Sequence, residues 1–443
     1  MTLEETKETK SVLPEAGEPR YRSPVQPSRI AVDMTPFLPG GENGGAKVLT
    51  IELVRHLGKL APECHFILLT SDLIHEEISF LDAPNVTRFC VKNESPSVPP
   101  PSTVRQRKKI RFLLKEWLSA SLPLPFYRML KTGYVMFRSH RLFRTRTLRD
   151  LGVDLLFCPL NIPFYYDPAV PVVSVIYDLQ FQVYPQFFEA EDRLTREINF
   201  KETCRLSKRL VCISEYVRST VLEHSGISPE TVVTIPIRLF DRLQKPKPET
   251  TKDVLQKHGL VANEFLLYPA NFWPHKNHSM LFTAFGMFRS RHPKSELKLV
   301  CTGAPNERLE TLGNAVLRMG LQAHIHLPGF LSEPEFAVFM ASCRGLIFPS
   351  LHEGFGMPLL EAMAFGKPVL CSNATSLPEV GGDAAIYFDP RKPEQIAEVF
   401  RAIDSNSELL SRLVEGGKER LSSFGNTAQM ASDYMSVFQE AAE

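Results

Sequence analysis

Short runs of apolar residues alternate along this chain with longer segments of helical periodicity. In the first half these runs are 29–34, 65–70, 86–91, 154–159, 171–177 and 209–214. In the second half they are 265–270, 297–303, 324–329, 345–350 and 368–372. Such runs are typical of strands in a parallel sheet, because helices cover both of its faces. The pattern therefore predicts an α/β chain with two doubly wound parallel sheets.

Two stretches interrupt this alternation and divide the chain into domains. Residues 1–28 are charged, rich in proline and nearly free of apolar pattern, which predicts a disordered tail. Residues 242–253 are polar and contain prolines, and we interpret them as an interdomain linker. The predicted domains are then 29–241 and 254–424. A terminal helix is predicted within 425–443.

Composition restricts the class of protein. The 443 residues suit two or three domains, and a formal net charge of +1 excludes a chain-wide electrostatic attraction to nucleic acid. The 8 cysteines are scattered without a Cys-x-x-Cys pair or a Cys/His cluster, which favours a reducing compartment and argues against structural zinc. Neither an N-terminal apolar segment nor a bilayer-spanning apolar run is present in the sequence. These features predict a cytoplasmic protein without cofactor.

Two carboxylates, Glu353 and Glu361, follow the apolar run 345–350. Gly354 and Gly356 let peptide N–H groups approach a ligand with no Cβ in the way. The residues after them have helical spacing, so the free N–H groups of a helix N-terminus would face the same loop and form an anion site. Taken alone, either glutamate is equally compatible with a solvated surface position. Together they indicate a site for a phosphorylated ligand.

The segment from Glu353 to Val369 closely resembles the signature of retaining glycosyltransferases of family 4, EGFGxPxxEAMAxGxPV. The resemblance implies the GT-B fold, in which two Rossmann-like domains face each other across a cleft, with 29–241 on the acceptor side and 254–424 binding the nucleotide sugar. It also implies that the terminal helix within 425–443 crosses back to the first domain. It implies that Glu353 lies beside the donor sugar and that Glu361 binds the nucleotide ribose. It also implies that the amides around Phe355 and Gly356 touch sugar or phosphate.

A second constellation surrounds Lys276, which follows the apolar run 265–270. Its ammonium is well placed to meet a phosphate leaving group as a point charge, and the resemblance equates it with the lysine that binds the donor diphosphate. A common family pattern has an arginine several residues upstream. That arginine is missing here, which leaves His275 or Asn271 as substitutes. Asn277 is predicted to cap the next helix, and Lys276 as a plain surface charge is the alternative.

Two smaller signals belong to the second domain. By resemblance, Gly329, Phe330 and Leu331 cradle the nucleotide base. Ser376 is predicted to cap a short helix that contains Glu379, which we interpret as structural rather than catalytic.

The first domain contributes two further candidates. Gly44 and Gly45 lie in a glycine-rich turn, where the backbone can approach the donor. Asp178 follows a buried strand and either contacts sugar or acceptor hydroxyls or caps the next turn. Tyr177 stands where the family often has histidine. Ser214 is either functional or a helix cap.

Residues 105–149 contain 13 basic residues and one acid, interleaved with aromatic and aliphatic residues. A basic amphipathic segment of this kind suits an anionic membrane surface or a polyanionic acceptor. Single-stranded nucleic acid is a formal alternative that we regard as unfavoured, and an ordinary pair of solvated helices is another. The first interpretation places the protein on the inner face of the cytoplasmic membrane.

These observations predict a metal-independent retaining glycosyltransferase. No Asp-x-Asp motif is present. We therefore expect Lys276 and the helix N-terminus to stabilise the charge on the leaving group. The expected reaction moves a hexose from GDP-mannose or a UDP-sugar to a hydroxyl of a glycan or lipid-linked saccharide. We expect the departing phosphate to accept the acceptor's proton, with Asp178 on the acceptor side and Glu353 orienting the sugar. A non-catalytic nucleotide-sugar-binding subunit and a GT-B sugar-nucleotide epimerase are the alternatives.

Overall fold

The computed structural model describes residues 27–40, 44–91, 147–160, 162–240 and 242–443. The predicted tail 1–28 lies almost entirely outside these residues. The basic segment 105–149 lies outside them as well, apart from its last three residues.

The first domain is built on a parallel sheet of seven described strands in the order β3-β2-β1-β4-β5-β6-β7. Strands β1 to β7 are Arg29–Asp33, His65–Thr70, Val86–Cys90, Leu155–Cys158, Val172–Ile176, Arg209–Cys212 and Val232–Thr234. Helices α1 to α5 are Gly44–Leu60, Thr147–Asp150, Gln180–Val183, Ala190–Leu206 and Glu215–Ser225.

The second domain has a parallel sheet of six strands in the order β10-β9-β8-β11-β12-β13. Strands β8 to β13 are Phe265–Pro269, Lys298–Thr302, Ile325–Gly329, Gly345–Phe348, Val369–Ser372 and Ala385–Phe388. Helices α6 to α10 are Pro248–Lys257, His278–Arg291, Glu307–Arg318, Glu333–Ser342 and Met357–Ala364. Helices α11 to α14 are Leu377–Gly381, Pro393–Ser405, Ser407–Phe424 and Thr427–Ala442.

Four of the inner strands are buried along their whole length. Every residue of β4, β5, β11 and β12 is buried, because helices cover both faces of each sheet. The prediction of two parallel α/β sheets is therefore confirmed. Strands β7 and β13, which lie at the sheet edges, were not among the predicted runs.

The predicted linker 242–253 is only partly a linker. Helix α6 begins at Pro248, whose missing N–H and fixed φ suit the first helical turn. The residues just before the range are not a loose connection either, since Ile237 and Leu239 are buried, as is Leu243 within it.

The last helix, α14, packs on the sheet of the first domain. The rings of Tyr434 and Phe438 lie 5.6 and 5.1 Å from the ring of Phe157 on β4. Asp433 pairs with Arg238 at 2.5 Å, and the hydroxyl of Thr427 donates to the carbonyl of Arg238 at 2.7 Å. The two segments that cross between the domains are thus bonded to each other. Within the described ranges, no helix has the length and apolar character needed to cross a bilayer.

Candidate functional site

A cleft of about 670 Å³ lies between the domains, at the carboxyl ends of both sets of strands. From the first domain it is lined by Gly44, Gly45, Tyr177 and Asp178. Beyond that domain its lining includes Arg242, Asn271, His275, Lys276, Phe330, Leu331, Glu333, His352, Glu353, Gly354, Phe355, Gly356 and Glu361. The structure thus brings together every predicted site residue except Gly329, which ends β10 outside the lining.

Lys276 and Glu353 form an ion pair inside the cleft. The ammonium lies 2.6 Å from Oε1 of Glu353, and the two side chains are only 16% and 12% exposed. The ammonium also lies 5.6 Å from the centre of the Phe348 ring. The backbone is fixed as well, because the hydroxyl of Tyr268 donates to the carbonyl of Lys276 at 2.7 Å. This arrangement fixes the position of the Lys276 ammonium within the cleft.

Helix α10 directs its N-terminus at the same region. It begins at Met357 with proline in its first turn, and its first turn carries no acid. Gly356 precedes it with φ near +102°, and a Cβ there would lie 2.5 Å from Cδ2 of Leu377. Only glycine suits that position. The free N–H groups and the dipole of α10 therefore form a site for an anion.

Two side-chain hydroxyl groups form hydrogen bonds with the backbone of the loop that carries Glu353. The Thr375 hydroxyl accepts from the amide of Glu353 at 3.0 Å. The Ser376 hydroxyl donates to the carbonyls of Glu353 and Phe355, both at 3.0 Å. The predicted cap by Ser376 is therefore wrong, because its hydroxyl is turned to these carbonyls and makes no cap bond to α11. Phe355, which follows in this loop, is buried.

Asn277 does not cap α7 with its side chain, contrary to the prediction. It adopts φ near +61°, and its amide donates to the carbonyls of Pro349 and Pro390 at 3.1 and 2.7 Å. The side chain thereby braces the loops after β11 and β13 against the turn that carries Lys276.

Glu361 is buried at 2% exposure beside Arg242, which excludes the solvated alternative. Nε of Arg242 donates to Oε1 of Glu361 at 2.7 Å, and Nη2 lies 2.7 Å from the same oxygen. Nη1 lies 3.7 Å from the carboxylate of Glu333. Burial raises the pKa of Glu361, and the guanidinium partly offsets that effect. Sequence reasoning assigned Arg242 to the linker and missed this pair.

Neither substitute for the missing upstream arginine carries a charge. Burial, reinforced by Lys276, lowers the pKa of His275 to about 2, so its imidazole is neutral at physiological pH. The side-chain oxygen of Asn271 accepts from the amide of Ala304 at 2.8 Å, which fixes the orientation of the side chain. Among the described lining residues, the cations are therefore Lys276 and Arg242.

His352 is a second functional candidate that sequence reasoning missed. It is 2% exposed, and its ring lies 6.0 Å from Tyr184 and 5.8 Å from Tyr216, both of the first domain. Within the described chain neither ring nitrogen has a hydrogen-bond partner. Burial lowers the pKa of His352, against the opposing charges of Asp178 and Glu353.

The two domains meet directly at Gly354. A Cβ at this position would lie 1.8 Å from the carbonyl oxygen of Tyr177. The Ser214 hydroxyl donates to the carbonyl of Gly354 at 2.7 Å and accepts from the amide of Val217 at 3.1 Å. Ser214 therefore caps α5, as one of the two alternatives predicts, and its hydroxyl also bonds the second domain.

Glu379 forms a second contact between the domains. Its two oxygens accept from the amides of Glu215 and Tyr216, at 2.8 and 3.0 Å. A carboxylate of the second domain thus neutralises the N-terminus of a helix in the first. Asp178 accepts from the amide of Gln180 at 2.9 Å, so it caps the next turn while it also lines the cleft.

The remaining predicted residues also line the cleft. Phe330 is 65% exposed and Leu331 is buried. Gly44 begins α1 with φ near +51°, and a Cβ at Gly45 would lie 3.6 Å from Cε of Met357. The glycine-rich turn therefore faces the start of α10.

The second domain is similar to known proteins. Residues 251–420 match the model of the family described as "Glycosyl transferases group 1". O-antigen chain mannosyltransferase B of Escherichia coli is 28% identical over 240 residues, which cover 53% of this chain and 62% of that protein. MMP alpha-(1->4)-mannosyltransferase of Mycolicibacterium hassiacum is 29% identical over 259 residues, which cover 58% of this chain and 57% of that protein. The matches thus span about three-fifths of each relative.

Solved structures establish the fold. Anabaena Alr3699/HepE in complex with UDP and glucose superposes with a TM-score of 0.65 at 15% identity, covering 93% of this chain and 100% of that one. WaaG, a glycosyltransferase involved in lipopolysaccharide biosynthesis, gives a TM-score of 0.63 at 15% identity, with 92% and 99% covered. The chain therefore has the GT-B fold, as the sequence predicts.

Proposed function

We propose that this chain, which carries a glycosyl transferases group 1 domain at residues 251–420, is a glycosyltransferase. It moves a hexose from a nucleoside-diphosphate sugar to a hydroxyl of a glycan or lipid-linked saccharide. The observation that carries the proposal is the meeting of Lys276, Glu353, Glu361 and the N-terminus of α10 on one wall of the cleft. Cation, helix dipole and paired acceptors suit the diphosphate, ribose and sugar of such a donor.

The names of the relatives favour a mannosyl donor. Both proteins described above are mannosyltransferases by name, and one acts on an O-antigen chain. We therefore propose GDP-mannose first and a UDP-sugar second, with the acceptor in envelope or exported polysaccharide.

The chemistry that we propose is metal-independent and retains the anomeric configuration, as in family 4. Lys276 and the amides of α10 stabilise the charge that grows on the diphosphate as the glycosidic bond breaks. The acceptor hydroxyl attacks from the face that the diphosphate leaves, and its proton passes to the departing phosphate oxygen. Glu353 orients the sugar ring, while Gly44, Gly45 and Asp178 receive the acceptor from the other side of the cleft.

The closed arrangement of the domains supports this chemistry. Contacts at Gly354 and Glu379 join the two domains beside the cleft. Closure excludes water, which strengthens each electrostatic interaction and limits hydrolysis of the donor.

A panel of sugar nucleotides tests the proposed function. A nucleoside diphosphate at 100 times its Kd is expected to stabilise the wild-type protein by about 2.7 kcal/mol, visible as a rise in Tm. Glu353→Ala should still bind the nucleoside diphosphate but transfer no sugar. Binding without transfer by the wild type would favour a binding subunit, and an epimerised product would favour the epimerase. Absence of any nucleotide binding would contradict the proposal.

We further propose that the basic segment 105–149 holds the protein at an anionic membrane, on the inner face of the cytoplasmic membrane. Its charge of 13 basic residues against one acid supports this. The wild type should sediment with phosphatidylglycerol vesicles at low salt and be released at high salt. Replacing the basic residues with glutamine should abolish sedimentation, and equal sedimentation of both proteins would contradict the proposal.

A further inference from the structure

The ion pair between Arg242 and Glu361 involves only one of the two carboxylate oxygens. Nε and Nη2 of the guanidinium both approach Oε1 of the carboxylate, each at 2.7 Å. Among the described residues, none donates a hydrogen bond to Oε2. Glu361 also lines the cleft. One oxygen is therefore held by the guanidinium, and the other has no donor among the described residues.

Burial makes the guanidinium necessary for an ionised carboxylate. Glu361 is 2% exposed and Arg242 is 18% exposed, so an unpaired charge at Glu361 would be strongly disfavoured. A planar guanidinium holds both the charge and the orientation of its partner, which a point charge cannot do. An ionised carboxylate is a pure acceptor, so its free oxygen suits a pair of neighbouring hydroxyl groups.

Arg242 is anchored by the segment that connects the domains. The segment runs from β7 to α6, and its residues Ile237, Leu239 and Leu243 are buried. Its neighbour Arg238 is paired with Asp433 of the last helix. The backbone that carries Arg242 is thus held firmly, and its side chain reaches into the second domain.

We propose that Arg242 is a positioning residue, which holds Glu361 ionised with Oε2 turned to the vicinal hydroxyls of a nucleoside-diphosphate ribose. The proposal rests on the function proposed above and adds a residue that neither the sequence signature nor the family match at 251–420 includes.

The preference for ribose over 2′-deoxyribose tests this role. We would measure by calorimetry the Kd of UDP, GDP and their 2′-deoxy forms. For whichever of UDP and GDP binds more tightly, the wild type is expected to bind the ribonucleotide about tenfold or more tightly than its 2′-deoxy form. The reason is that the deoxy form loses a hydrogen bond to a charged group. In Arg242→Met that preference should nearly disappear. Arg242→Lys, which keeps the positive charge but loses the planar guanidinium, should retain part of the preference for ribose.

Arg238→Met is the matched control. It removes an arginine from the same connecting segment and breaks a pair of similar burial, with exposures of 13% and 32% for Arg238 and Asp433, but Arg238 does not line the cleft. We expect a lower Tm with an unchanged preference for ribose. A residue that only supports the fold would behave in this way.

The outcomes separate this inference from the proposed function. Wild-type protein that binds neither UDP nor GDP overturns both. Wild-type preference that persists in Arg242→Met overturns the inference alone, even where overall affinity falls. If Arg242→Met does not fold, Glu361→Gln gives the same test, because it should lose the preference while keeping the shape of the side chain. A full ribose preference in Glu361→Gln would also overturn the inference.

Discussion

Replacing Lys276 with methionine is expected to lower kcat for sugar transfer about 10²- to 10³-fold, the loss typical of one preorganised electrostatic group. The ammonium lies in the cleft at 2.6 Å from Glu353, with little exposure of either side chain. In such a site its charge is weakly screened. Without it, the charge that develops on the leaving diphosphate is met by the amides of α10 alone. Release of nucleoside diphosphate under saturating donor measures the effect.

A matched lysine shows whether the loss is specific to the cleft. Lys257 pairs with Glu335 at 2.7 Å, but its side chain is 66% exposed and it does not line the cleft. Lys257→Met should leave kcat unchanged. Lys276→Met also leaves the carboxylate of Glu353 without its cation. The double variant Lys276→Met/Glu353→Gln removes that unpaired charge, so it should recover Tm but not activity. Equal rates for the two lysine variants would contradict the assigned role.

The regular part of the fold follows from local pattern. Strands such as β4 and β11 are buried along their whole length, so apolar runs in the sequence predict them directly. The edge strands are harder to find. The first three residues of β13 are half-buried, and β7 is a strand of 3 residues. Their positions depend on pairing with a neighbouring strand, which the sequence alone does not identify.

The capping predictions failed for a physical reason that sequence cannot show. Asn277 and Ser376 both stand where local rules place a helix cap. In the fold, carbonyls from distant loops lie closer, at Pro349 and Pro390 for Asn277 and at Glu353 for Ser376. A polar side chain bonds the best acceptor that tertiary structure provides, which need not be the nearest in sequence.

The partner of Glu361 was missed for a related reason. A buried carboxylate requires a cation, but the chain offers 51 lysines and arginines. Only the path of the connecting segment brings Arg242 to within 2.7 Å. The burial of His352 likewise arises where the two domains meet, at Tyr184 and Tyr216, so nothing in its own segment indicates it.

Gly354→Ala is expected to abolish most transfer activity while leaving nucleotide binding intact. The three heavy atoms nearest to the added Cβ all belong to the first domain, and the carbonyl oxygen of Tyr177 would lie at 1.8 Å. Within the second domain the methyl group therefore meets no such clash. The variant should fold, but its domains cannot approach as closely. A displacement of about 1 Å between reacting groups is enough to lower a rate about 10²-fold.

Three measurements distinguish blocked closure from general damage. Kinetics should show a large fall in kcat, calorimetry should show nucleoside-diphosphate affinity near that of the wild type, and small-angle scattering should show a larger radius of gyration with ligand bound. Gly313→Ala serves as the control, because a Cβ there meets nothing within 4 Å. It lies within α8, where alanine should add about 0.5–1 kcal/mol of stability without affecting the rate. Full activity in Gly354→Ala would show that transfer does not require the contact between Gly354 and Tyr177.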